Sequence, residues 1–188
     1  MKTRCNWSNK TKIYQDYHDF EWGVPVHDDQ KLFEAIVLDG AQAGLSWETI
    51  LNKRENYRKA FDHFDVEKVS RYGPDKVEEL FQNPGIVRNR LKINSAITNA
   101  NAFLEIQKEF GSFDCFLWDF VEGRPVQNCW NSLSEVPATS EISDKISKEL
   151  KKKGFKFVGS TIIYAFMQAI GMVNDHTLDC FRHEELKS

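Results

Sequence analysis

Two cysteines and two histidines stand at opposite ends of this sequence in a pattern suited to a metal: Cys5 and His18 near the start, His176 and Cys180 near the finish. Two thiolates and two imidazoles make a closed tetrahedral set of the structural zinc kind. Such a site clips regions 5–18 and 176–180 together, a stabilising role. His176 and Cys180 are four apart, so a helix puts them on one face. The order is unlike the common finger spacings, and a surface thiol at Cys5 with a capping His176 is the plainer reading. Cys115 and Cys129 adjoin Phe116 and Trp130 and read as buried hydrophobes.

A second group is aromatic. Trp7, Tyr14, Tyr17, Trp22 and Trp47 crowd the first quarter of the chain. Asp39 ends an apolar run just before Gly40, so its charge faces the negative end of a helix dipole. Aromatic faces with one carboxylate describe a pocket for a flat cationic ligand. The same aromatics also fit a plain core.

The third group is basic. Pro84-Gly85-Ile86 lies between two helical segments, followed by Arg88, Arg90 and Lys92. Gly85 can take positive φ and leave backbone N–H groups pointing outward, an anion site suited to one DNA phosphate. A helix–helix turn with a solvated basic face fits equally. Lys151, Lys152, Lys153 and Lys156 could track a phosphate backbone or form a solvated helix end.

The elements that must position these groups are helical. Asp29 can cap residues 30–38, where Leu32, Phe33, Ile36 and Val37 fall at helical spacing, with Gly40 and Gly44 as breakers. Ser46 caps 47–61. Asp65 opens a short helix ending before Gly73, and Pro74 takes the first turn of the next. A long helix follows over 88–110, then one over 113–121. Residues 122–137 read as irregular. Ser140 caps a helix to Lys153, stopped by Gly154. The uncharged run 157–174 reads as a buried helix stopped near Gly171, and 176–183 as a short last one. There is no period-two run, repeat or linker, so the expectation is an all-α single domain spanning 1–188.

The 188 residues suffice for one well-filled core. With 10 Gly and 5 Pro, collagen-like and low-complexity classes are excluded. A net charge of −3 confines nucleic-acid binding to a local patch. The N-terminus lacks an apolar signal segment, the longest uncharged run is too polar to span a membrane, and 4 cysteines are too few for a disulfide scaffold. A reducing cytoplasm is the expected setting.

Several long words in the chain resemble the bacterial 3-methyladenine DNA glycosylase I family. They are residues 17–25 (YHDFEWGVP), 42–47 (QAGLSW), 53–58 (KRENYR), 85–88 (GIVR), 154–159 (GFKFVG), 166–169 (FMQA) and 173–176 (VNDH). The resemblance implies a single helical domain with a helix-hairpin-helix motif around 75–110 and a structural zinc on Cys5, His18, His176 and Cys180. It implies an enzyme that flips 3-methyladenine from duplex DNA, hydrolyses its N-glycosidic bond with water and leaves an abasic site. Carried over by position, Asp39 and Tyr17 are the catalytic candidates, and Trp7, Tyr14, Trp22 and Trp47 complete the base pocket. Gly44 and Leu45 map to the loop that enters the gap left by the flipped nucleotide. Pro84, Gly85, Ile86, Arg88, Arg90 and Lys156 are the remaining DNA-contact candidates. The implied partner is double-stranded DNA with alkylated bases, met by a monomer and away from membranes.

The chemistry suits these types. N3-methylation makes adenine cationic and a ready leaving group, so the enzyme must select the cation and hold the sugar as it becomes oxocarbenium-like. Aromatic walls favour the cation by about 0.5–2 kcal/mol. The family usually has Glu where this chain has Asp39, one methylene shorter. Asp175 beside His176 is a tempting catalytic stand-in, but a supporting role for the metal ligand is simpler. Two rivals follow: a non-catalytic lesion-binding module disabled at Asp39, and a zinc hydrolase of small molecules, which needs an open metal position.

Overall fold

The fold was derived as a computed structural model that describes residues 2–187, so both ends of the expected 1–188 span lie outside the described residues. After a 3-10 turn at Asn6–Lys10, ten α-helices follow in chain order among the described residues. They are α1 (Lys12–Phe20), α2 (Asp29–Gln42), α3 (Trp47–Ala60), α4 (Val66–Ser70), α5 (Pro74–Gln82), α6 (Arg90–Phe110), α7 (Phe113–Trp118), α8 (Glu141–Lys152), α9 (Ser160–Ala169) and α10 (Phe181–Glu185).

The long α6 is the spine. It packs on α2, α4, α5 and α7, while α9 closes the core against α2 and α8. Phenylalanines fill the centre: Phe33, Phe64, Phe103 and Phe113 are wholly buried, and the Phe103 and Phe113 rings stack 4.1 Å apart. Such rings bury large apolar areas and set most of the core's energy.

Helix starts follow side-chain caps. Ser46, Asp65 and Ser140 accept from the backbone N–H three residues on, and Pro74 opens α5. The cap of α2 is Asp28, not Asp29. Asp29 instead accepts the N–H groups of Phe113 and Asp114, joining α2 to the start of α7.

Several boundaries differ from the sequence expectation. Helix α2 runs through Gly40 to Gln42, because tertiary packing overrides the weak helix preference of one glycine. The segment 113–121 is α7 followed by a 3-10 turn. The helix in the uncharged run 157–174 starts late, at Ser160, because Phe157 has φ +55°; its stop near Gly171, at φ +72°, is as expected. The end of the run forms β2 (Val173–Asn174), which pairs in parallel with β1 (Val126–Gln127), inside the stretch expected to be irregular. The fold is therefore mostly helical with one small strand pair. Two-residue strands are too short to leave a period-two signature.

Gly171 is forced. An added Cβ would lie 2.4 Å from the Val24 carbonyl carbon and 2.5 Å from Pro25 N. That close approach docks the end of α9 on residues 23–25. There the Gly23 N–H donates to Gln168 O and the Val26 N–H to Ile170 O. Among the described residues no helix is long and apolar enough to cross a membrane.

Candidate functional site

Cys5, His18, His176 and Cys180 converge, all four buried, with their ligand atoms within 4.8 Å of one another. The Cys5 and Cys180 sulfurs lie 3.6 and 3.5 Å from His176 Nδ1, and Cys180 Sγ is 3.4 Å from His18 Nε2. A tetrahedron with metal–sulfur bonds of about 2.3 Å and metal–nitrogen bonds of about 2.0–2.1 Å has sulfur–nitrogen edges of about 3.6 Å. The cluster fits a metal ion.

His176 and Cys180 do not share a helix, contrary to expectation. A bridge at Thr177 and a turn carry the chain between them, and α10 begins only after Cys180. The turn, closed by Cys180 N–H on Thr177 O, brings the two ligands together instead. The outer nitrogens are held as well. His18 Nδ1 is 2.8 Å from Asp19 Oδ1, and Arg4 grips the same carboxylate, holding it below the usual carboxylate pKa range. His176 Nε2 bonds Trp22 O. Such partners fix tautomer and ring orientation. Asp19 escaped the sequence reading, although its place beside His18 was a signal.

The aromatic group forms a wall directly on this cluster. Trp7 stands edge-on to Trp22 at 5.1 Å, to Tyr14 at 5.5 Å and to His18 at 5.5 Å. Tyr17 and Trp47 rings are 5.6 Å apart. Tyr14 Oη accepts the Glu48 N–H, which ties α1 to the start of α3. These five rings and Asp39 line one cavity of about 460 Å³. Its far wall, missed by sequence reasoning, comes from Leu133, Pro137, Thr161, Tyr164 and Gln168. Those residues lie in the irregular stretch and in a helix read as plain core, so nothing local marked them.

Asp39 is only 3% exposed. Burial pushes its carboxyl up to about 8. Its Oδ2 and the Trp47 Nε1 are buried polar atoms without a protein partner. Such atoms are costly unless a ligand engages them. Burial and the nearby Asp39 hold Tyr17 well above the ordinary phenol range, so it stays a neutral hydroxyl. A larger cavity of about 760 Å³ shares Tyr17, Asp39 and Trp47 on its other side, but ion pairs line it, Arg54 with Glu21 and Arg58 with Glu34. The aromatic side is the one shaped for a flat cation.

Asp175 also reaches the aromatic cavity, yet it supports neither imidazole. Its oxygens accept from Asn128, Trp130, Tyr164 and Gln168, which saturates the carboxylate and ties the far wall to β2. The expected role beside the metal ligand falls to Asp19. Cys115 and Cys129 are exposed, not buried, because α7 turns Cys115 outward and Cys129 lies in the surface stretch after β1.

The basic turn differs from expectation too. Gly85 does not take positive φ. It is glycine because a Cβ would meet Asn83 Oδ1 at 2.9 Å and Asn56 Cβ at 3.0 Å. Its N–H donates to Asn83 Oδ1, and Pro84 O accepts from Lys53. Ile86 is buried. Arg90 is paired to Glu78 and lies over the Phe81 ring. Arg88 and Lys156 are exposed and make no ion pair among the described residues. Lys152 and Lys153 are paired with Glu149 and Glu109. Gly44, at φ +79°, and Leu45, 39% exposed, form a protruding turn between α2 and α3.

A profile described as methyladenine glycosylase matches residues 7–183. The chain belongs to the methyladenine glycosylase family. Among curated relatives of this glycosylase, the Escherichia coli (strain K12) DNA-3-methyladenine glycosylase 1 is 51% identical, over 94% of this chain and 95% of that protein. The Haemophilus influenzae DNA-3-methyladenine glycosylase is 48% identical, over 96% and 97%. A crystal structure of a variant 3-methyladenine DNA glycosylase I in complex with 3-methyladenine superposes with a TM-score of 0.92 at 35% identity, covering 95% of this chain and 96% of that one.

Proposed function

We propose that this glycosylase releases 3-methyladenine from alkylated DNA by hydrolysing the N-glycosidic bond and leaving an abasic site, the first step of base excision repair. The carrying observation is the aromatic cavity with the unpartnered buried atoms Asp39 Oδ2 and Trp47 Nε1. A methylated adenine presents a flat cationic face to the rings and an amine to the carboxylate. Binding that cation favours release of the Asp39 proton to water, because an opposite charge favours the ionised form. The ion pair then exists only with the charged lesion, which selects against normal bases. Tyr17, a neutral phenol, lines the cavity and takes no proton.

The substrate is read as duplex DNA and the working form as a monomer, since one chain supplies every wall of the cavity. The turn between α5 and α6 is the candidate hairpin for a DNA phosphate. Arg88 and Lys156 would add charge, and Gly44 and Leu45 would fill the gap in the stack. Flipping costs a few kcal/mol, least at a damaged pair. The Cys₂His₂ cluster is read as a structural zinc site, held by Cys5, His18, His176 and Cys180, where the ion would supply a fixed tie and no chemistry. The DNA substrate and the free cysteines support a cytoplasmic setting.

The test is release of 3-methyladenine from methylated duplex DNA, resolved by chromatography, for the unsubstituted protein beside Asp39→Asn. Release that falls with the amide supports the reading. DNA binding without release would make the chain a lesion-binding module instead.

A further inference from the structure

Lys92 occupies the first turn of α6, the positive end of a helix dipole and a poor place for a cation. Its ammonium points away from that end. Nζ donates to Ala41 O at 2.8 Å and to Ala43 O at 2.6 Å. Both carbonyls belong to the end of α2, where helical acceptors run out of partners. Lys92 makes no ion pair among the described residues, and burial lowers its pKa. Its stabilising partners are therefore backbone carbonyls.

These carbonyls open the protruding turn. Gln42 Nε2 donates to Leu45 O at 3.0 Å, and the Leu45 N–H returns to Gln42 O at 2.7 Å. An added Cβ at Gly44 would meet nothing within 4 Å. The turn thus projects freely on its outer side and is held from inside at the carbonyls of 41, 43 and 45. Lys92 itself lies in the first turn of α6, just past the 84–86 turn that follows α5, with Arg88 exposed between them. One side chain therefore joins the two segments that the proposed function puts against DNA.

We propose that Lys92 is a positioning residue: it fixes the 43–45 turn to the start of α6, so that both segments meet the duplex as one preset edge. This rests on the proposed glycosylase reading. Without the tie the turn must be ordered during flipping, and its ordering entropy opposes the extruded state.

The experiment compares the unsubstituted protein with Lys92→Met, Lys92→Gln and Lys92→Arg in single-turnover release of 3-methyladenine from methylated duplex DNA. Lys92→Met is expected to lower the maximal rate by about tenfold or more, since roughly a 1 Å misplacement can cost about a hundredfold. The DNA concentration giving half the maximal rate and the affinity for free 3-methyladenine, read by tryptophan fluorescence, should each hold within about twofold, because Lys92 lines neither the cavity nor the exposed cations. Lys92→Arg, which can donate to both carbonyls, should recover most of the rate. If Lys92→Met does not fold, the Arg and Gln variants carry the same comparison. An unchanged maximal rate in Lys92→Met overturns the proposal. So does a loss of free-base affinity in step with the rate, which would mark general support of the fold. Failure of the unsubstituted protein to release any base overturns the glycosylase reading, and the proposal with it; release by that protein separates the two cases.

Discussion

His176 Nε2 donates to the carbonyl oxygen of Trp22 at 3.1 Å, and the two rings stand edge to face 4.6 Å apart. One ring thus belongs at once to the Cys₂His₂ cluster, through Nδ1, and to the support of the cavity wall. Trp7 repeats the arrangement against His18 at 5.5 Å. The wall is as rigid as the cluster behind it.

Metal removal should therefore cost more than stability. Stripping the ion with a chelator is expected to lower the thermal midpoint and to weaken 3-methyladenine binding together, and added Zn²⁺ should restore both. Structural sites of this kind contribute several kcal/mol or more to folding. Metal analysis with a paired melting and fluorescence titration checks it. Binding that survives in metal-free, folded protein would separate the cluster from the pocket.

Asp39 ties stability to pH in the opposite sense from a paired carboxylate. Its folded pKa is raised to about 8, so the folded state keeps a proton that the unfolded chain releases near 3.8. Below 3.8 neither state is penalised; the cost of the buried acid grows from there up to about pH 8 and is constant above. Asp39→Asn should raise stability at neutral pH by a few kcal/mol at most, counting about 1.4 kcal/mol per unit. The gain should shrink as pH falls toward 4. The same variant should lose roughly ten- to a hundredfold in release rate, the range of a charge-assisted hydrogen bond. Melts from pH 4 to 9 beside release assays check both signs.

Gly171→Ala should destabilise the fold by about 3 kcal/mol or more. The new methyl group meets backbone atoms of 23–25 that cannot move aside, and φ +72° adds strain. Urea denaturation measures it. Gly44→Ala is the control: its φ of +79° brings strain without a clash, and its loss should be near 1 kcal/mol.

Arg88→Ala should weaken DNA binding about equally on all sequences and reduce the salt slope by about one, the mark of a lost phosphate contact. Arg90→Ala should do less, because Glu78 already neutralises Arg90. Binding isotherms at several salt concentrations distinguish them.

The helices and their caps were legible because each rests on local spacing or on residue chemistry, whereas the clustering of Cys5, His18, His176 and Cys180 came from the family resemblance, since their chemistry alone left a surface thiol and a capping histidine equally open. Ser46 and Pro74 announce helix starts through their own side chains. What was not legible depends on partners far along the chain. The turn that joins His176 to Cys180 is set by the pairing of β1 with β2, which two-residue strands do not advertise. Gly85 looked like a conformational glycine, yet Asn56 is what excludes a side chain there. Arg90 looked like a free cation until α5 supplied Glu78. Leu133 and Pro137 reach the cavity wall from a segment held near β2 by the Asp175 bonds to Asn128 and Trp130 and by the Trp130–Thr177 bridge, partners far along the chain.

The union of Cys5 with Cys180 has a consequence for synthesis. A ribosome releases the first aromatic residues of the pocket long before it releases His176. The core around α6 can condense while translation continues, but the wall behind Trp7 and Trp22 has to wait for the last turn of the chain. A nascent molecule can thus hold most of its helices and still be unable to grip a base. Stop codons between the end of α9 and position 180 should yield helical but inert products.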